Sequence, residues 1–190
     1  DQPDDGEVGR AVVADDLGTS ITGIQAAITF YALTMAAFML TGGKLGDLMG
    51  RARAFKIGAV IYGIGSLTTA LSPNLTVLLI GWSLVEGLGA VLVIPAIASL
   101  AAINYTGKAR VTAFSILGAV TGLAAAVGPL LGGVMTTYLS WRYVFVAETV
   151  VMVAVLFAAK LIRDVPRDPE VRIDPLSVVA SAGGLSLIVY

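Results

Sequence analysis

The 190-residue sequence contains no cysteine and no histidine. Their absence excludes disulfides, thiolate nucleophiles, iron–sulfur clusters, zinc sites built on Cys or His, and every catalytic triad that uses imidazole. Charge is scarce as well. Asp, Glu, Lys and Arg make up 13% of the chain, against roughly 25% in an ordinary soluble domain. Neither sign dominates: 12 basic residues face 13 acidic ones for a formal net charge of −1. Bulk charge therefore argues neither for nor against a nucleic-acid partner. No G-x-x-x-x-G-K-[ST] run exists, so the chain carries no ATPase loop of its own. Gly63-x-Gly65 and Gly87-x-Gly89 lie inside apolar runs rather than at a strand–helix turn, which removes a dinucleotide-binding reading.

Apolar surface is what the chain has in excess. Hydrophobic residues account for 57% of it, and the mean hydropathy is +0.89. A soluble core of this size has no room for that much apolar surface, whereas a bilayer solvates it. Long apolar runs cover 24–43, 54–71, 76–103, 111–138 and 143–162, and a sixth begins at Leu176 and continues to Tyr190. A helix needs about 20 such residues to cross roughly 30 Å of hydrocarbon. Barrel strands are half as long and alternate in polarity, and Val151, Met152, Val153, Ala154, Val155 and Leu156 do not alternate. The sequence predicts an all-α membrane protein, not an enzyme: a polytopic helical bundle with five full spans and the start of a sixth.

Short connections make neighbouring spans antiparallel, and the bases follow that alternation. Lys44, Arg51, Arg53 and Lys56 follow the first span, and none follows the second. Lys108 and Arg110 follow the third, and Arg142 stands alone after the fourth. Lys160, Arg163, Arg167 and Arg172 gather around the end of the fifth. The positive-inside rule puts 44–56, 104–110 and 160–175 in the cytoplasm. It leaves 1–20 and the loops at Pro73 and Trp141 outside, with Tyr138 and Trp141 as interfacial aromatics. Topology explains these bases better than nucleic acid does. The expected organisation is an external acidic segment (1–20), a five-helix bundle (21–162), a cytoplasmic linker with bases and prolines (163–175) and the start of the next helix (176–190). An acidic start without Met or a signal-peptide core, and a sixth run still open at Tyr190, read as a piece of a larger multi-pass protein.

Three features carry chemistry. The first junction holds Gly42, Gly43, Gly46 and Gly50 around Asp47, with Arg51 and Arg53 beyond. The glycines permit a tight reversal, and Asp47 either caps a helix or pairs with Arg51; the plain alternative is a basic loop with an incidental acid. The fourth span places Gly118, Gly122, Ala125, Pro129 and Gly132 at steps of four and three, a small-residue stripe that admits a close neighbour. It ends in Gly128-Pro129-x-x-Gly132-Gly133, where the proline bends the helix. Finally, two acids lie inside apolar runs. Glu86 is about 15 Å and Glu148 about 8–10 Å from the outer ends of their spans. A charge at such depth costs about 3 kcal/mol on insertion scales. Each is a candidate for proton or substrate coupling, or a structural partner for a base elsewhere. Gln25, Tyr31, Thr34, Tyr62 and Ser66 either line a pathway or bond between helices.

These motifs resemble those of the major facilitator superfamily. The first junction is similar to its signature loop G-x-L-x-D-R-x-G-R-K, fitting at Gly43, Leu45, Asp47, Gly50 and Arg51. It departs at Leu48 and at Ala52, with Arg53 one place late. The match makes the first span the family's second helix, so the chain is expected to be an N-terminal half-domain lacking its first helix. The resemblance implies a cytoplasmic gating role for Gly43, Asp47, Gly50, Arg51 and Arg53, at a contact with the other half-domain. The motif of Gly118, Gly122, Gly128, Pro129, Gly132 and Gly133 is similar to the antiporter motif in helix five of the family's drug/proton exporters. Where those exporters carry R-x-x-Q-G-x-G-A, this sequence has Ser83 and Glu86 at the Arg and Gln positions. Ser140-Trp141-Arg142 and Phe145 resemble the opening of helix six, with Glu148 in place of Asn. Asp15-Asp16-Leu17-Gly18 resembles the exit from helix one, and the match fades upstream of Val12.

The resemblance covers roughly 14–190, and the fourteen-helix exporter branch accommodates the run at Leu176. It implies a secondary active transporter in the cell membrane, exporting small, often hydrophobic or cationic compounds by proton-coupled alternating access. The proton gradient supplies the energy, with no cofactor or metal. The expected partners are the bilayer, a small-molecule substrate, and the first helix and C-terminal half of a parent chain, with no nucleic acid. Two other readings stay open: an uptake symporter of the same family, and a truncated membrane fragment without transport of its own.

Overall fold

A computed structural model describes residues 5–161. The expected linker at 163–175 and the run from Leu176 lie outside the described residues. Those described form six helices and no strand: α1 (Asp5–Asp16), α2 (Ile21–Met49), α3 (Arg51–Ala70), α4 (Leu75–Asn104), α5 (Gly107–Tyr138) and α6 (Arg142–Ala158), the last closed by a 3₁₀ turn at Ala159–Leu161. Helices α2 to α6 correspond to the five expected spans. By length and composition α2, α4 and α5 are each long and apolar enough to cross a membrane. The segment expected as an external acidic tail is itself helical over Asp5–Asp16.

Local chemistry sets the helix ends. Ser20 opens α2 by accepting the amide of Gly23 at 3.1 Å, and Asn74 opens α4 by accepting that of Val77 at 3.0 Å. Both satisfy donors that a helix start leaves free. One residue, Gly50, separates α2 from α3, and its φ of 95° is a left-handed conformation that side chains resist. In α4 the stretch Leu79–Glu86 widens into a π-helix. Pro95 lies further along the same helix.

Glycines bring α2, α3 and α4 into close contact. A Cβ on Gly65 of α3 would stand 2.5 Å from the Glu86 amide nitrogen, and one on Gly89 of α4 2.5 Å from that of Tyr62. Gly58 faces Leu92 and Gly89, Gly81 faces Thr69, and Gly42 of α2 abuts the Val91 carbonyl. Two apolar clusters flank this seam. Toward the expected outer side, Ala14, Leu17, Ile24, Ala27, Leu78 and Trp141 are buried together. Toward the cytoplasmic side, Phe55, Ala59, Val93, Ala96 and Ala159 pack with Met152 and Val155. Trp141 is 4% exposed, so it belongs to the core rather than to an interfacial belt; Tyr138, 81% exposed, fits the belt.

α5 stands apart. It touches α1, α4 and α6, yet none of its residues is buried. Val111, Val120, Leu123 and Leu130 are all more than half exposed. Each such side chain left in water forfeits about 1.5–3 kcal/mol, a penalty that vanishes in hydrocarbon.

Candidate functional site

The two intramembrane acids meet. Glu86, at the end of the π-helical stretch of α4, is 1% exposed. The buried Ser66 of α3 donates to Glu86 Oε2 at 2.7 Å, and the same hydroxyl lies 3.2 Å from Glu148 Oε2 of α6. One serine therefore bridges two carboxyl groups from helices on either side of it. The phenols of Tyr62 from α3 and Tyr31 from α2 face the same pair. The Gly65 contact with Glu86 explains the closeness, because α3 and α4 lie backbone against backbone one residue from Ser66. A second hydroxyl bond ties α4 to α2: Ser83, in the position expected for an arginine, donates to the Ala27 carbonyl at 2.8 Å.

Among the described residues no Lys or Arg forms an ion pair with either glutamate; the ion pairs are Arg51–Asp47 and Arg142–Asp16. Among the same described residues, three or more acidic side chains do not gather as a metal site requires. Of the polar residues expected either to line a pathway or to bond between helices, Tyr31, Tyr62 and Ser66 join the glutamates. Thr34 packs its methyl against Gly87, and Gln25 is exposed.

Trp82 connects this site to a cavity. Its ring lies 5.9 Å from Tyr31 on one side and 5.7 Å from Phe145, edge on, on the other. Beyond Phe145 opens a cavity of about 720 Å³, whose walls include Trp82, Trp141, Phe145, Pro129 and Leu130, with Arg10 at its border. Gly132 and Gly133 also line it. Among the described residues, a Cβ on Gly118, Gly122, Gly128, Gly132 or Gly133 of the predicted α5 stripe meets nothing within 4 Å. Close helix approach among the described residues is found through Gly42, Gly58, Gly65, Gly81 and Gly89.

At the first junction Arg51 pairs with Asp47 at 2.6 Å, both about one-third exposed. Gly43 lies near Pro95, and Gly50 makes the reversal. Arg53 is exposed and forms no ion pair among the described residues.

The outer ends carry a node that sequence reasoning did not find. Arg142, at the start of α6, donates to the Ala70 and Ser72 carbonyls at 3.0 and 2.7 Å. Its other nitrogen pairs with Asp16 at 2.8 Å, and the Trp141 indole donates to the same Asp16 oxygen at 3.0 Å. The signal was present in part, as a lone base in an otherwise base-poor loop.

A family comparison matches 10–186 to the Major Facilitator Superfamily. The chain belongs to that superfamily. Superfamily relatives include the puromycin resistance protein pur8 of Streptomyces alboniger, 37% identical over 94% of this chain and 36% of that protein. The cephamycin export protein CmcT of Amycolatopsis lactamdurans is 32% identical over 93% of this chain and 37% of its own length. The probable actinorhodin transporter of Streptomyces coelicolor is 31% identical over 96% and 32%. The chain thus spans about a third of the length of these relatives. As a major facilitator chain it is integral to the membrane, and its relatives bear the names of resistance and export proteins rather than enzymes.

Proposed function

We propose that this chain forms part of a proton-driven exporter and that Glu86, Ser66 and Glu148 hold its coupling proton. The observation that carries the reading is the single Ser66 hydroxyl shared between two carboxyl groups, at 2.7 and 3.2 Å. A hydroxyl has one proton to donate and two lone pairs with which to accept. With both glutamates ionised, Ser66 serves only one of them. With one proton on the pair, the protonated carboxyl donates to Ser66 while Ser66 donates to the other, and every group is satisfied. Taking up that proton neutralises one of two charges in a low-dielectric setting, the change that biases one state of an alternating-access transporter over the other.

The cavity beside Trp82 supports a largely apolar cargo, with the half-buried rings of Trp82 and Phe145 among its walls. The export direction rests on the relatives' names and on the Gly128-Pro129 motif. In proteoliposomes bearing the full-length chain, Glu86→Gln is expected to keep folded yield and substrate binding and to abolish the dependence of flux on the proton gradient. Normal yield with unchanged pH dependence defeats the assignment of Glu86. Poor folding with coupling intact in the surviving molecules indicates a structural pair instead.

A further inference from the structure

We propose that Arg142 is a positioning residue: anchored to the end of α3 and to Asp16, it sets the register in which Glu148 meets Ser66. The proposal rests on the reading of Glu86, Ser66 and Glu148 as a proton site. α3 and α6 run antiparallel, and their contacts form a ladder from the outer end inward. Arg142 meets Ala70 and Ser72, Glu148 meets Ser66, Met152 meets Gly63, and Val155 and Ala159 meet the Phe55–Ala59 cluster. Every rung inward of Glu148 is apolar, and hydrophobic contact is non-directional. Such a seam tolerates sliding. A slip of one residue moves α6 by about 1.5 Å, enough to take the 3.2 Å contact at Glu148 out of hydrogen-bond range. Among the described residues, Arg142 is therefore the one directional fastener between α3 and α6 that is independent of the site itself.

Its chemistry suits that task. The last carbonyls of α3 have no helical partner, and a planar guanidinium presents donors in a fixed fork. One arm takes the two carbonyls while the other takes Asp16, whose Oδ2 is also held by Trp141. The titratable groups around Glu148 are Glu86 from α4, Tyr31 from α2 and Tyr62 from α3. From α5 the charged residues are Lys108 and Arg110, in its first turn, and from α1 they include Asp16, already paired with Arg142, and Arg10, which lines the cavity beside Val144 and Phe145.

The test uses a cysteine-free form of the full-length chain carrying Gly63→Cys and Met152→Cys. A Cβ on Gly63 lies 3.4 Å from that of Met152, close to the ~3.8 Å of a disulfide, so oxidation reports the register directly. The parent pair is expected to cross-link readily. Arg142→Gln is expected to cut the cross-link severalfold and, without the cysteines, to move the pH midpoint of gradient-driven flux by about one unit, the scale on which neighbours shift a carboxyl. Asp16→Asn, which leaves both carbonyl bonds in place, is expected to retain the cross-link. The proposal is overturned if Arg142→Gln leaves the cross-link intact, or loses it with the pH midpoint unchanged. Should Arg142→Gln fail to fold, Arg142→Lys takes its place: a smaller shift in the same direction as cross-link loss supports the proposal, and wild-type values for both overturn it. An unchanged midpoint in Glu148→Gln defeats the proton-site reading, while the cross-link still decides whether Arg142 sets the register.

Discussion

Ser66 is small, buried and bonded to two acids that are 62 residues apart in the chain, and most of the site's geometry depends on it. Ser66→Ala removes the hydroxyl and leaves Glu86 buried without that donor, a loss of about 1–3 kcal/mol. The expected outcome is a lower thermal midpoint in detergent, with Ser66→Thr recovering most of the loss because it keeps the hydroxyl. Equal midpoints for the alanine and wild-type chains contradict the bridging role. Glu86 and Glu148 were legible in the sequence, because a charge inside an apolar run is conspicuous and costly. Their meeting was not. Serine is ordinary in membrane helices, and nothing local to Ser66 announces that α4 and α6 both bring a carboxyl to it. That fact belongs to the α3–α4 and α3–α6 registers, which are tertiary. Arg142 was counted as a topological marker for the same reason: its partners, Ala70, Ser72 and Asp16, are all distant in sequence.

At the scale of the helices, glycine has two opposite meanings here. On α3, a side chain at Gly65 drives into the Glu86 backbone, which cannot yield as a flexible side chain does. Gly65→Ala is expected to destabilise the bundle by about 1–3 kcal/mol or more and to separate Ser66 from Glu86. On α5, Gly118 has open space around it, and alanine there gains up to about 1 kcal/mol of helix propensity. Folded yield of Gly118→Ala should equal or exceed wild type, and a yield as poor as that of Gly65→Ala places an unseen helix against α5. Sequence spacing singled out the α5 stripe because its steps of four and three are regular. The glycines of α3 and α4 are matched across two helices instead, Gly65 to Glu86 and Gly89 to Tyr62, a pattern that single-helix periodicity does not contain. The five long helices were readable, since hydropathy and the Lys/Arg count act along one chain, but the polar helix at Asp5–Asp16 and the continuation of α2 from Lys44 to Met49 were not, because neither stretch is apolar enough to stand out.

For the whole molecule, the exposed apolar faces call for a bilayer around the bundle, and the alternation of bases predicts which ends face the cytoplasm. Pro73, in the α3–α4 turn, is exposed, and so is Tyr105 between α4 and α5. In a cysteine-free background of the full-length chain, Pro73→Cys is expected to react with a membrane-impermeant maleimide on intact cells. Tyr105→Cys is expected to react only after permeabilisation, and the reverse pattern inverts the topology. Pro73 is the better probe of that turn, because Asn74 caps α4 and its loss costs about 1 kcal/mol. The junction at Gly50 also bears on biosynthesis. A single residue between Met49 and Arg51 spans at most about 3.6 Å, so the translating ribosome delivers α2 and α3 with no slack between them. α2 is long and apolar enough to partition into lipid on its own account, whereas α3 falls outside that class. Insertion of the two as a hairpin is therefore the expected route, with the helix that bears Ser66 drawn in behind its more apolar neighbour.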